Sequence, residues 1–296
     1  MKFQSGFVTI IGRPNVGKST LMNQIIGEKI AIMSDKPQTT RNKIQTIYTK
    51  ENFQVIFLDT PGMHKPKNKL GEYMQKSAQQ TLNEVDVILL VIDDTADMGP
   101  GDQYILEMIK TVKTPIVLVI NKMDKIPPEK FEKIYNMYNQ QNLFHDIIAI
   151  SATENKNVQK LMDKIVKGLP EGPQYFPADM ITDQPEKVIV SEIIREKLLH
   201  YLQEEVPHGV AVDVLSMKKR EKQEIVDISA TIYCEKKSHK GIIIGKNGRK
   251  LKGVGKSARI DIENLLGSKV FLELWVKVKE DWRDHENMLN TLGYKL

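Results

Sequence analysis

Eight residues near the start of the chain, Gly12-Arg13-Pro14-Asn15-Val16-Gly17-Lys18-Ser19, restrict its possible folds more than any other feature. They follow a strand-like apolar run, Phe7–Ile11, and precede a helical segment, Ser19–Ile26. Glycines at these positions let a loop turn tightly enough for its N–H groups to point inward at a polyphosphate. The helix that follows adds the positive end of its dipole. Lys18 then supplies a point charge to the outer phosphates, and the Ser19 hydroxyl, with Thr20 beside it, completes a site for a magnesium-bound nucleotide. At average residue frequencies the bare pattern arises in roughly one chain in a hundred of this length. The strand before it and the helix after it therefore carry the inference.

The rest of the first half agrees with that start. Strand-like runs at Ile44–Thr49, Phe53–Leu58, Val85–Ile92, Pro115–Ile120 and Ile147–Ile150 alternate with helical patterns. The clearest helix lies at Asn157–Gly168, where Val158, Leu161, Met162 and Ile165 follow one buried face. Alternating units of this kind predict an α/β domain with a mostly parallel six-stranded sheet, helices covering both faces. The first two of these runs are separated by about three residues, so they predict an antiparallel hairpin at the sheet edge.

Asn121-Lys122-Met123-Asp124 stands at the end of the run Pro115–Ile120. The Asp124 carboxylate can accept from the guanine N1–H and exocyclic amino group together, a pair of donors that adenine lacks. A site built around such a match discriminates by on the order of 10⁴-fold. Asn121 can contact the base edge and the phosphate loop, the Lys122 stem can cover the base, and a backbone N–H of Ser151-Ala152 can meet the guanine oxygen. Asp59-Thr60-Pro61-Gly62 ends the run Phe53–Leu58. Asp59 is expected to hold magnesium through water, and the Gly62 N–H to meet the γ-phosphate. Of the neighbouring hydroxyls Thr39 and Thr40, Thr40 is taken as the second magnesium ligand. Any one of these short motifs is common in turns; their order along one chain is not.

Taken together, the five elements resemble the translation-factor-type GTPases, and G-R-P-N-V-G-K-S with D-T-P-G most resemble the Era-related branch. The resemblance implies two switch regions, around residues 36–43 and 59–75, that order when the γ-phosphate is present. Lys18, Thr40, Gly62 and Asn15 are the catalytic positions it implies, with Asn15 holding a potassium ion beside the Mg2+ cofactor. Met63 follows Gly62 where small GTPases place a water-orienting glutamine. A thioether cannot orient water, so unaided hydrolysis is expected to be slow. His64 is an alternative base of lower rank.

The second half changes character. A Pro- and Gly-rich stretch, residues 173–185, is read as a linker or a domain-docking segment between a domain at 1–172 and another at 186–296. Beyond it come a helix at Glu186–Glu205, two alternating strands, a glycine loop, a helix with Val254, Ala258 and Ile262 on one face, and a strand at Val270–Val278. Net charge is only +5, yet residues 236–260 contain nine Lys or Arg and no Asp or Glu. A basic run around a glycine loop points to an anionic partner. With Gly245-Lys246-Asn247-Gly248 at its centre, this α-β-β-α-α-β order resembles a type II KH domain, a smaller α+β fold that grips about four nucleotides of single-stranded nucleic acid. Lys246, Arg249, Lys250 and Lys252 are expected at phosphates, Asn247 in the loop between the glycines, and Ile242, Ile243 and Ile244 along the base-facing groove.

A GTPase domain joined to one KH domain matches the Era family over essentially the whole chain. The presence of one phosphate loop excludes relatives with two tandem GTPase domains. The resemblance implies GTP and GDP as ligands, the 3′ end of small-subunit rRNA and the small ribosomal subunit as partners, a role in subunit assembly, a monomer, and peripheral contact with the inner face of the membrane. A lone Cys234, no disulfide and no apolar run long enough to cross a bilayer suit a cytoplasmic protein. Two rival functions compete with this one. One is a signalling GTPase that docks on a protein or membrane, and the other is an RNA-modifying enzyme, for which the second half offers no metal cluster or nucleophile–base pair.

Overall fold

The computed structural model describes residues 2–28, 31–32, 34, 36, 39–61, 66, 68–95 and 97–294. The chain forms two compact units, one of residues 1–66 and 71–183 and the other of residues 67–70 and 184–296.

In the first unit the described residues form β1 (Gln4–Ile11), α1 (Lys18–Ile26), β2 (Ile44–Lys50), β3 (Phe53–Asp59), α2 (Lys69–Asn83), β4 (Val87–Ile92), α3 (Pro100–Ile109), β5 (Ile116–Ile120), α4 (Pro128–Asn139), β6 (Asp146–Ala149) and α5 (Val158–Gly168). Among them the six strands form one sheet in the order β2-β3-β1-β4-β5-β6. β1 pairs in parallel with β3 and β4, β4 with β5, and β5 with β6, while β2 runs antiparallel to β3 as the edge hairpin. β4 is buried at all six positions, as an all-apolar strand covered on both faces must be. Alternate residues of the strands divide between two cores. Val8, Ile10, Leu89 and Val119 face one with Leu21 and Leu161, and Ile56, Leu90 and Leu118 face the other with Ile105 and Ile134. Each such side chain contributes about 1.5–3 kcal/mol on burial.

The order of connection reverses at β1, where a parallel sheet leaves a crevice at the carboxyl ends of its strands. The phosphate loop follows β1 there, Asp59 ends β3, and Asn121 follows β5.

Residues 172–182 are tied to the first unit by hydrogen bonds. Gly172 N donates to Phe3 O at 3.1 Å, Tyr175 N and Phe176 N donate to Gln54 Oε1 at 2.8 and 2.9 Å, and Ile47 N donates to Ile181 O at 2.7 Å. The segment therefore runs from the start of β1, past the Gln54 side chain of β3, to edge strand β2, where Ile181 satisfies an amide that the sheet leaves open. Gln54, fully buried, accepts both amides and donates to Phe176 O, a contact its alternating strand pattern does not foretell.

The second unit contains α6 (Glu186–Tyr201), β7 (Ala211–Lys219), β8 (Ile225–Cys234), α7 (Lys237–Ile244), α8 (Arg249–Leu266), β9 (Lys269–Val278) and α9 (Glu286–Thr291). The expected order α-β-β-α-α-β holds, although α6 stops at Tyr201, before Glu205. Its sheet runs β7-β8-β9, antiparallel then parallel. Val190, Ile194, Ala230, Ile232, Val254 and Ala258 close its core at 0% exposure. The segment after β9 folds onto the same unit: Trp282 is fully buried, its Nε1 donates to Gly209 O at 2.9 Å, and its ring stacks on Tyr294.

Candidate functional site

The loop after β1 adopts the backbone its composition anticipates. Gly12 (φ 149°) and Gly17 (φ 98°) are left-handed, and a Cβ on either would lie 2.2 Å from Val91 O or Asn121 Nδ2. Asn15 is also left-handed, at φ 68°, and exposed; Pro14 is half-buried. Gly17 caps α1 without a side-chain hydrogen bond, and the positive end of the helix dipole faces the loop.

Lys18 is buried and curls back over the loop, donating to Gly12 O at 3.0 Å and Arg13 O at 2.7 Å. Across from it, Asp59 is 1% exposed and accepts from Thr40 Oγ1 at 3.2 Å. Burial pushes the Asp59 carboxyl up to about 6, against Lys18 and the hydroxyls of Thr40 and Ser19, which pull it down. Burial lowers Lys18 to about 8, with Asp59 opposing. Both charges are thus held in a site that solvates them poorly. A polyanion at Lys18 and a cation at Asp59 would each favour the ionised form. Among the described residues Asp59 Oδ1 is buried without a hydrogen-bond partner. That orphaned oxygen, with two hydroxyls converging on the same carboxylate, is an all-oxygen donor set of the kind a magnesium ion takes. Thr39, by contrast, donates to Lys36 O at 2.6 Å. Thr60 points back into the sheet, donating to Ile10 O at 3.3 Å, and Pro61 is buried. Gly62, Met63 and His64 lie outside the described residues.

Asn121 acts first as a brace. Its Nδ2 donates to Val16 O at 2.8 Å and its Oδ1 accepts from Ala152 N at 3.0 Å, so one buried amide ties the phosphate loop to the strand end after β6. Ser151 N donates to Lys156 O at 3.1 Å. Both amides expected at the guanine oxygen are therefore already engaged, and a ligand oxygen at Ala152 would share its donor with Asn121. Asp124 is exposed, and the Ser151 hydroxyl in particular holds its carboxyl below the usual range, so it is ionised at neutral pH.

Three carboxylate and phenol groups of the site are not foretold by its motifs. The Arg13 guanidinium turns away from the loop to pair with Asp93 (3.1 Å) and Asp102 (2.8 Å), so Arg13 can serve a ligand only through its backbone. Asp93 also receives Lys122 Nζ at 3.0 Å, which fixes the stem expected over the base. Asp102 reaches back to Gly99 N at 3.0 Å and caps α3. Tyr138 is the third: burial first, and then the nearby Asp102 carboxylate, pushes its hydroxyl pKa up. A signal for Asp93 did exist: it is a carboxylate directly after an all-apolar strand, at the same sheet edge as Asp59 and Asn121.

In the second unit the glycine loop joins α7 to α8 through a single turn, Lys246–Gly248. Gly245 (φ 71°, ψ 173°), Asn247 (φ 52°) and Gly248 (φ 74°) all have positive φ. Lys246, Asn247, Arg249 and Lys252 are exposed and Lys250 half-buried. The isoleucines part company: Ile243 is fully buried in the core, Ile244 half-buried, and only Ile242, at 42%, faces solvent. This corrects the placement of Ile243 in a groove, because an eight-residue helix packed on the unit turns one side of any apolar run inward. The groove beside the loop, about 830 Å³, runs instead between α8 and β9. Lys252, Lys256 and Arg259 rim it, and Leu251, Leu272 and Leu274 form its apolar lining.

Comparison with known proteins follows the same division. Residues 7–122 match the family described as 50S ribosome-binding GTPase, and residues 205–283 match the KH domain. The chain is 67% identical over 295 residues to GTPase Era of Alkaliphilus metalliredigens, covering 100% of both, and 61% identical to GTPase Era of Clostridioides difficile, covering 99% of both. Among solved structures, Era in complex with MgGDPNP and nucleotides 1506–1542 of 16S ribosomal RNA has a TM-score of 0.95 at 42% identity, covering 99% of this chain and 100% of that one. An Aquifex aeolicus Era variant bound to GDP.AlF4− has the same score at 41% identity, with the same coverage.

Proposed function

Because this chain belongs to the Era family of GTPases, we propose that it binds and hydrolyses GTP in its first unit and grips the single-stranded 3′ region of small-subunit rRNA in its second. Hydrolysis would time its binding to and release from the assembling small ribosomal subunit. The observation that carries this reading is the buried cradle in which Lys18, Ser19, Thr40 and Asp59 converge beside the Asn121 brace. The relative bound to MgGDPNP and 16S rRNA supports both halves of it. In this reading the loop N–H groups and Lys18 hold the phosphates. Ser19 and Thr40 ligate Mg2+, with Asp59 reaching it through water, and Asp124 selects guanine. The metal supplies charge neutralisation at the phosphates, and the residues supply its orientation.

Titration of the full chain with GTP and ATP, and of 16S nucleotides 1506–1542 with and without a GTP analogue, tests the proposal. Equal uptake of ATP, or no RNA affinity in either state, would overturn it, and the second outcome would favour a signalling GTPase with a protein or membrane partner. Asp124→Asn is expected to weaken GTP by on the order of 100-fold, because the neutral amide accepts less strongly and can turn a donor toward the guanine N1–H. Calorimetry with GTP and ATP reads this directly.

Potassium at Asn15 is part of the same proposal, resting on family resemblance. Turnover is then faster in potassium than in sodium, and equal rates in the two salts would remove the ion from the account. Cytoplasmic location, peripheral contact with the membrane and a monomeric state are proposed on the same resemblance. No helix among the described residues is long and apolar enough to cross a membrane.

A further inference from the structure

One carboxylate of the first unit stands between the two loops that the motifs assign to phosphate and to base. Asp93 directly follows β4, and its two oxygens divide their partners. Oδ1 accepts from Arg13 of the phosphate loop at 3.1 Å, from the Thr95 hydroxyl at 2.7 Å and from Thr95 N at 3.3 Å. Oδ2 accepts from Lys122 Nζ at 3.0 Å. The contacts of Oδ1 close a local turn and hold the arginine. The contact of Oδ2 reaches a residue two positions before Asp124. Burial raises the Asp93 carboxyl, and hydrogen bonds from Thr95 and Lys122 bring it below the usual range, so it is ionised at neutral pH.

What Lys122 does with that anchor follows from its backbone. It lies at φ 61° and ψ 31°, a left-handed region that a lysine enters rarely. From there it caps the single turn Met123–Lys125, and Lys125 N donates to Lys122 O at 2.9 Å. Asp124 is the middle residue of that turn, so the direction of its carboxylate follows the conformation of Lys122. Strained backbone of this kind persists where its surroundings hold it, and a side chain tied at its far end is one such hold. Stability is the plainer use of an ion pair. The Lys122 side chain is 30% exposed, however, and a pair open to water contributes little to a fold.

We propose that Asp93 is a positioning residue for guanine selection: its Oδ2 anchors Lys122 and so aims Asp124 at the base edge, while its Oδ1 ties the same anchor to the phosphate loop through Arg13. This rests on the reading of Asp124 as the carboxylate that selects guanine, and it adds to that reading a residue outside the motif.

Asp93→Asn separates the two oxygens. Three donors from Arg13 and Thr95 keep the amide oxygen on their side, which turns Nδ2 toward the Lys122 ammonium and breaks that anchor alone. ITP, which is GTP without the exocyclic amino group, reads the aim of Asp124, because it lacks one of the two donors that carboxylate takes. In calorimetric titrations of the full chain with Mg2+, Asp93→Asn is expected to weaken GTP about ten-fold and ITP about two-fold, so the preference for GTP falls about five-fold. Asp93→Glu, which restores a carboxylate, should regain most of that preference. Lys122→Met should lose it to a similar degree, and adding Asp93→Asn to Lys122→Met should change nothing further, because the anchor then has nothing to hold. Equal losses for GTP and ITP would make Asp93 a brace of the loop and overturn the proposal, as would parental affinity for both. A further loss in the double variant would show that Asp93 does not act through Lys122, which also overturns it. If the parent takes ITP as tightly as GTP, Asp124 is not the selector, and the role of Asp93 falls with it.

Discussion

Lys18→Ala is expected to lower GTP affinity by about a thousand-fold while leaving the chain folded. Its ammonium is the side-chain charge that the phosphate loop turns inward, because Arg13 is drawn away to Asp93 and Asp102. Two hydrogen bonds from an ionised donor to phosphate oxygens are worth about 4 kcal/mol together, which is the thousand-fold. The fold has little to lose. Lys18 is desolvated enough to be lowered to about 8, and its bonds are to two carbonyls of its own loop. Removing it relieves the desolvation of one charge and deprives Asp59 of its nearest cation, two effects of opposite sign. Calorimetric titration with GTP and a thermal melt without nucleotide check both halves. A variant that keeps its affinity would dismiss the cradle as the phosphate site, and one that fails to melt cooperatively would show that Lys18 holds the fold as well.

Gly248→Asp is expected to cut RNA affinity by on the order of 100-fold with GTP affinity unchanged. A Cβ at Gly248 meets nothing within 4 Å, and its φ of 74° with ψ of 7° is a region that Asp tolerates better than most residues. The variant therefore folds, with its carboxylate set among Lys246, Arg249 and Lys252, where a phosphate would approach. A like charge about 5 Å from a phosphate, with the backbone's close approach also blocked, accounts for the loss. Gly245 is the wrong probe: a Cβ there would lie 2.7 Å from Lys250 Cβ, so its substitution would damage the turn before it tested the RNA. Gel-shift titration of 16S nucleotides 1506–1542, alongside GTP calorimetry on the same preparation, reads both effects. Unchanged RNA affinity would count against the groove.

Several parts of this protein are legible in the amino-acid sequence because each is a local property of a short segment. The phosphate loop needs its glycines, lysine and hydroxyl in one turn, so contiguous residues announce it. The two β-α patterns, the edge hairpin and the order of the second unit follow from periodicity, which a strand or helix imposes on its own residues.

Other features depend on residues that only folding brings together. Asn121 braces Val16 across 105 positions, and Arg13, a loop residue by motif, proves to be anchored to Asp93 across 80. The alternation of β9 says that it has two faces but not which one the helices cover. That choice, made by packing Val254, Ala258 and Ile262 against the sheet, sends Leu272 and Leu274 toward the groove and leaves Phe271 and Trp275 outside. It also draws Ile243 into the core, where the sequence shows only three isoleucines in a row. Short-range chemistry can be read along the chain, whereas the assignment of each face to core, groove or solvent belongs to the elements that cover it.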